Sequence, residues 1–335
     1  MHKNHIVVEW GRHFAAKFDL STQQKILDLG CRQGHLSSFL AYQYPQQHFI
    51  AVDNLASEIE QAKNLRLPNL SFQVENGLNL SFAEEFDAIV SFNCLLWIQD
   101  KLKTLQHLYY ALKPGGKAYL QFFISHPYPK NDRFYYQTAS MSHWQYYFKN
   151  YQSDYYEISM FEFCRLLSQV GFTIQRLEHV AYPAQFENSD HLQQWVKSWV
   201  THHKYVPLKK QEHFLHEAVN NYFQFHRYSP KDPFTYNEYL LEVICEKPIP
   251  VENTPTQSRY RYANIIFSKR EAEILKQYLL GKSAKEIAIK TTITAKTVEF
   301  HLANIKEKLN CYKRSDIFQA ALRHGFINLI FDSKV

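Results

Sequence analysis

The sequence predicts an α/β protein: a mostly parallel sheet covered by helices on both faces, continued by a small all-α module. Three observations carry this. Short apolar runs alternate with helix-length segments over the first 125 residues, the pattern of repeated strand-helix-strand units. With 45% hydrophobic and 21% charged residues, the 335-residue chain can bury a large core; this excludes a disordered or fibrous protein, and the length suits two domains. The charge is divided unevenly. Residues 259–335 hold 15 Lys/Arg against 7 Asp/Glu, a net of +8, which leaves a net of −2 for everything before them. A basic module on a near-neutral domain points to nucleic acid as partner. No run of 18 apolar residues and no signal-peptide core occurs, so a soluble, cytosolic protein is expected. The five cysteines lie more than sixty residues apart, without zinc spacing, which argues against a disulfide framework and a metal site.

Taken in order, strands are expected at 25–30, 48–53, 70–74, 86–92 and 117–123, each a short apolar run of the kind found in parallel sheets. Two more, 172–177 and 238–245, would add edge strands and close a seven-stranded domain at about residue 247. Two stretches break the alternation, about 125–156 and 182–236. Both are rich in aromatic residues, and in the second Trp195, Val196, Trp199 and Val200 follow helical spacing. They are read as helical cap insertions over the carboxyl ends of the strands, where ligands of open α/β sheets bind. Residues 248–262, with prolines and no apolar periodicity, form a linker.

Residues 263–335 carry consistent helix signals. Ser268-x-x-Glu271 and Ser283-x-x-Glu286 are capping boxes, Gly281 stops a helix and Thr294 caps another. Helices are expected at about 269–280, 284–291, 295–309 and 313–324. In the third, Val298, Leu302, Ile305 and Leu309 form one apolar stripe; Lys296, Glu299, Phe300, Ala303 and Glu307 lie opposite, flanked by Lys306 and Lys308. The second and third helices, joined through Thr291-Thr292-Ile293, make a helix-turn-helix.

The turn after the first strand, Asp28-Leu-Gly-Cys-Arg-Gln-Gly34, has GxxxG and not GxGxxG spacing, so the dinucleotide fingerprint fails at Arg32. What remains is an acid near the end of each of the first two strands, Asp28 and Asp53, and a carboxylate there can accept both hydroxyls of a ribose.

ILDLGCRQG, AVD, FDAIVSFNCLLWIQD and ALKPGGKAYL, in this order, resemble class I S-adenosylmethionine-dependent methyltransferases, closely over residues 20–125 and loosely to 247. The resemblance implies a Rossmann-like seven-stranded sheet with S-adenosylmethionine as cofactor. Asp28, Gly30, Cys31 and Gly34 would surround its methionine part, Asp53 with Asn54 the ribose, Asn76 and Gly77 the adenine, and Asn93 would stand at the mouth. Arg32 and Asn76 depart from the residues many members have. NCLLWIQD, KPGG and ENSDHLQQWVKSWV resemble the branch that methylates small carboxylic acids, the trans-aconitate and juvenile hormone acid methyltransferases. That chemistry needs no triad and no metal, since a carboxylate is already a nucleophile. Candidates to position a substrate are Trp97, Trp10, His13, His126, His143 and Trp144.

The C-terminal run from FSKREAEIL to KRSD resembles the LuxR-type DNA-binding domain over roughly 262–328. The resemblance implies double-stranded DNA as partner, the third helix in the major groove, and a homodimer formed through the fourth. Contacts to the DNA backbone would come from Thr294, Lys296, Thr297, Lys306 or Lys308, and base reading from Glu299, Phe300 and Ala303. Together the two resemblances imply a bacterial transcriptional regulator. Its first domain is either an active carboxyl methyltransferase or a catalytically silent sensor of S-adenosylmethionine, S-adenosylhomocysteine or a metabolite. A DNA methyltransferase is a third reading, against which stands the absence of (D/N)PP(Y/F) and Pro-Cys motifs.

Overall fold

In the computed structural model, which describes residues 5–124, 134–152, 155–249, 259–262, 265–323 and 326, the apolar runs become the centre of a seven-stranded sheet. Strands β1 (Lys25–Leu29), β2 (His48–Asp53), β3 (Leu70–Val74), β4 (Phe86–Phe92) and β5 (Leu112–Phe123) are parallel, and β6 (Thr173–Phe186) and β7 (Phe234–Glu246) complete the order β3-β2-β1-β4-β5-β7-β6. Strand order reverses between β1 and β4, and the crevice at that switch point is where such sheets bind ligands. Helices α1 (His5–Ala15), α2 (His35–Gln43), α3 (Ala56–Ala62), α4 (Lys101–Ala111) and α6 (Met160–Val170) cover the faces, so Ile26, Leu27, Ile89, Val90 and Leu120 are removed from water. Helix α1 precedes the expected elements and shields Phe14 and Ala15 within the core.

One expectation is corrected. β7 is not an edge strand: it lies antiparallel between β5 and β6, and only β6 takes the edge. β6 and β7 are also longer than expected, pairing from Thr173↔Glu246 to Phe186↔Phe234, whereas β5 pairs with β7 only as far as Phe123↔Leu240. The outer half of the β6–β7 ribbon therefore overhangs the sheet. Pro183 is tolerated there because an edge strand needs no ladder hydrogen bond on its outer side.

The overhang carries the cap. α5 (Phe134–Ala139), α7 (Ser189–Trp199) and α8 (Leu208–His226) pack on one another and on the ribbon, and bury a second apolar cluster that includes Trp10, Trp144, Leu192, Val196, Phe214 and Phe223. Asn188 caps α7 by accepting from His191 N at 2.9 Å.

In the C-terminal part a hairpin, β8 (Arg259–Tyr262) with β9 (Ile265–Ser268), occupies the end of the expected linker and leads into α9 (Lys269–Leu279), α10 (Ala284–Thr291), α11 (Ala295–Leu309) and α12 (Arg314–Arg323). Both capping boxes form, and Gly281 at φ 95° ends the turn after α9. Ala272, Leu275, Ile287, Val298, Leu302, Ile305 and Ile317 make the core, and α12 runs beside β6.

Candidate functional site

The turn after β1 is built for close approach. Gly30 (φ 81°), Arg32 (φ 49°) and Gly34 (φ 76°) all take left-handed backbone, and a Cβ on Gly30 would lie 2.4 Å from both Cβ and Sγ of Cys94. The N–H groups of Gly30 and Cys31 donate to Val52 O at 2.8 and 3.0 Å, which pins the turn to β2. Asp53 ends β2 with its carboxylate held from two sides: Oδ2 accepts from Arg32 N at 2.9 Å and Oδ1 from Leu55 N at 3.0 Å. Each oxygen keeps a lone pair for a further donor. Beyond β4, Asn93 sits at φ 55° with its N–H given to Gln121 O at 2.6 Å. Its side-chain Oδ1 and Nδ2 are sealed from water, with no partner among the described residues. Buried amides are ordinarily hydrogen-bonded, so a polar ligand is the natural complement.

These residues line a cavity of about 1190 Å³. Of the residues assigned from sequence to the cofactor, Gly30, Asp53, Asn54, Asn76, Gly77 and Asn93 stand on its wall, and Arg32 joins them. Three do not. Asp28 lies behind the turn, 2% exposed, accepting from Ser37 Oγ at 2.6 Å. Burial pushes its carboxyl up to about 7, against the pull of the Ser37 bond. Cys31 packs with Ala51 and Ile59, and burial raises its thiol far above the usual range. Gly34 makes room for Phe72, whose ring a Cβ there would meet at 2.5 Å, and it opens α2. Asn76 uses its Oδ1 to accept from Leu78 N at 2.9 Å, so one lone pair and the amide N–H groups remain for a ligand.

The substrate-positioning candidates divide sharply. Trp97 is on the wall, 48% exposed and tilted against Tyr155 at 4.9 Å. Trp10 is instead a core residue of the cap, against Phe123, Tyr182 and Trp195. His13 meets the edge of Tyr182 at 5.5 Å. Trp144 Nε1 donates to Glu217 at 2.8 Å and His143 pairs with the same carboxylate at 3.0 Å, away from the cavity wall. His126 falls outside the described residues. Sequence reasoning missed Tyr135, Tyr155, Tyr222, Tyr236 and Thr201, which line the cap side of the cavity together with Trp195 and Trp199. The i, i+4 pair Trp195/Trp199 was the visible signal, but core and wall aromatics look alike in a sequence.

On α11, Lys296, Glu299, Phe300 and Ala303 are exposed at i, i+3, i+4 and i+7 and so form one face. Thr294 accepts from Thr297 N at 3.1 Å and shares a 2.8 Å hydroxyl contact with Thr297. Lys306 is half-buried. Lys308 corrects an expectation: its ammonium is committed to Glu271 at 2.7 and 2.8 Å and to Ile266 O at 3.1 Å, so it ties α11 to α9 and β9 and is not offered to phosphate.

Residues 7–177 match the family model described as a methyltransferase domain, and residues 266–321 the model described as bacterial regulatory proteins of the luxR family. A candidate methyltransferase, 235L, of Invertebrate iridescent virus 6 is 24% identical over 217 residues, 64% of this chain and 80% of that protein. Trans-aconitate 2-methyltransferase of Deinococcus radiodurans is 32% identical over 102 residues, 30% of this chain and only 39% of the relative. Among solved structures, a candidate methyltransferase from Bacillus halodurans superposes with a TM-score of 0.52 at 13% identity, covering 71% of this chain and 98% of that one; the likeness is one of fold.

Proposed function

Because the chain belongs to the methyltransferase-domain family through residues 7–177 and carries a luxR-family regulatory domain at residues 266–321, we propose that it is a DNA-binding transcriptional regulator whose larger domain methylates the carboxylate of a small molecule, with S-adenosylmethionine as methyl donor. The observation that carries the reading is the meeting of Asp53 and Asn93 on one cavity at the switch point of the sheet, in a chain whose α11 presents a separate exposed face. The likeness to an enzyme named for trans-aconitate, an acid, supports an acid as acceptor. In this proposal residues 1–247 form the transfer domain and 263–335 the DNA-binding domain, acting in the cytoplasm; of the linker expected at 248–262, the last four residues belong to the hairpin that opens the DNA-binding domain. No helix among the described residues is long and apolar enough to cross a membrane.

When bound, the donor supplies a methyl group on a sulfonium. The chain's own residues do the rest. Asp53 accepts the ribose hydroxyls with the lone pairs left by Arg32 N and Leu55 N. Asn93, Asn76 and Gly77 border the rest of the nucleoside. Rings packed against a bound carboxylate displace its water, which makes it a stronger nucleophile than in solvent, with no need of a base. On the DNA side, α11 enters the major groove: Lys296 and Thr297 face phosphate, Glu299 accepts from a cytosine amino group and Phe300 packs on a thymine methyl, while a homodimer through α12 would require the face of that helix turned away from β6.

Titration calorimetry with S-adenosylmethionine tests the first half: micromolar binding abolished by Asp53→Ala is expected, and no binding to the folded protein refutes it. For the second half, Lys296→Ala lowers affinity for duplex DNA and its salt slope by about one ion. An unchanged slope counts against the α11 assignment. A silent sensor is the second reading, favoured by Arg32 on the wall and by the engaged Oδ1 of Asn76. A base-labile methyl ester formed from labelled donor decides against it.

A further inference from the structure

The acceptor end of the cavity has a chemistry of its own. At about 1190 Å³ the cavity exceeds the roughly 300–1,000 Å³ in which a drug-sized ligand sits. A donor at the Asp53 end thus leaves space for a second sizeable molecule. The walls around that space are rings: Tyr135, Tyr155, Trp195 and Tyr222 are buried, with Trp199 and Tyr236 beside them. Ring faces receive a flat apolar molecule with little loss of side-chain freedom. The charged side chains at this end are exposed Lys204 and half-buried Glu157 and Glu238. A small polycarboxylate calls for several converging cations, and this wall does not supply them.

Two polar groups point to what accepts the methyl. Trp199 Nε1 and Thr201 Oγ1 belong to cavity-lining residues just past the middle of the cap, are sealed from water, and have no hydrogen-bond partner among the described residues. An indole N–H can only donate, and a threonine hydroxyl can donate beside it. A group rich in lone pairs suits either, whereas an ammonium leaves the indole unsatisfied. Resting on the reading of this domain as an S-adenosylmethionine-dependent methyltransferase, we propose that its acceptor is a flat aromatic monocarboxylic acid of two or three fused rings, seated among these side chains with its carboxylate at Trp199 and Thr201. In the transfer, a lone pair of one carboxylate oxygen forms the new O–C bond as the C–S bond breaks. The breaking bond's electron pair stays on sulfur, giving a neutral ester and a thioether. No proton moves and no oxidant is needed.

The test uses the full-length protein and calorimetric titration with 2-naphthoate, 9-anthracenecarboxylate, trans-aconitate and 1-naphthylmethylamine, each with and without S-adenosylhomocysteine. The ring acids are expected to bind at micromolar concentration and the other two at least ten-fold more weakly. Trp199→Phe keeps a ring and loses the N–H; Thr201→Val keeps the shape and loses the hydroxyl. Each is expected to weaken the ring acids roughly ten-fold, with the urea-unfolding midpoint and far-ultraviolet circular dichroism retained. Tighter binding of trans-aconitate or of the amine overturns the proposal, as does failure of the ring acids to bind, or binding unaltered in both variants. Failure of the nucleoside to bind strikes the methyl-transfer reading instead, and the titrations without it still decide the acceptor.

Discussion

Replacing Asp28 with asparagine isolates the electrostatics under the glycine turn. The carboxyl is 2% exposed, its side-chain hydrogen bond comes from Ser37 Oγ at 2.6 Å, and burial pushes it up to about 7, with the charge of Asp53 adding to the shift. In the unfolded chain an aspartate titrates near ~3.9. The folded protein therefore holds this proton more tightly than the unfolded one, so stability falls as pH rises from about 4 to about 7 and levels off above. A displacement of about three units amounts to about 4 kcal/mol, of which about 3 kcal/mol is lost between pH 5 and pH 8. Asparagine is neutral throughout and can still accept from Ser37. Asp28→Asn is thus expected to gain about 3 kcal/mol on the natural protein between pH 5 and pH 8, whatever other groups titrate, because those groups are common to both. Urea unfolding of both proteins, followed by tryptophan fluorescence at the two pH values, reads this difference. Equal stability differences at pH 5 and pH 8 would refute the reasoning.

Gly30→Ala places a methyl 2.4 Å from Cys94 Cβ on left-handed backbone, and a loss of at least about 2 kcal/mol in urea unfolding is expected; full stability would show the turn to be adjustable. Lys308→Met leaves the Glu271 carboxylate, whose side chain is 7% exposed, with its capping bond from Ser268 N but no counter-charge, and should lower the melting temperature of the C-terminal part while the salt slope for DNA stays constant. A reduced slope with unchanged melting would return Lys308 to the DNA interface. Lys17→Met removes the 2.8 and 3.0 Å bonds to the fully buried Glu242, and about 3 kcal/mol or more should be lost, measured by thermal melting at neutral pH.

The parallel strands were legible because burial on both faces leaves an uninterrupted apolar run, as in Phe86–Phe92, and α9 to α11 because each starts on a side chain that can cap it. The antiparallel ribbon was not. Its outer half, Tyr182 to Phe186 against Phe234 to Glu238, mixes polar, aromatic and proline residues, and its strand character comes from mutual pairing across more than forty intervening residues. Half-buried, polar-faced strands carry little periodic signal, so the expected strands stopped short and β7 was misplaced to the edge.

The site shows the same division. Residues that need a particular backbone or terminate a strand, such as Gly30, Asp53 and Asn93, which the methyltransferase resemblance singled out, lie on the cavity wall, because local conformation fixes where they point. Trp10, His13, His143 and Trp144 were equally plausible from sequence, yet three of them pack into or against the cap and the fourth pairs with Glu217 on its outer surface. Lys308 and Lys306 read alike as flanking cations until the fold brought Glu271 to within 2.7 Å of one of them. Sequence alone thus determined the parallel strands, helices α9 to α12, the glycine turn after β1 and which residues of α11 lie opposite its apolar stripe. Only the tertiary structure decided which aromatic rings line the cavity and which lysines are spent internally, since both depend on contacts between segments far apart in the chain, and local propensity holds no record of them.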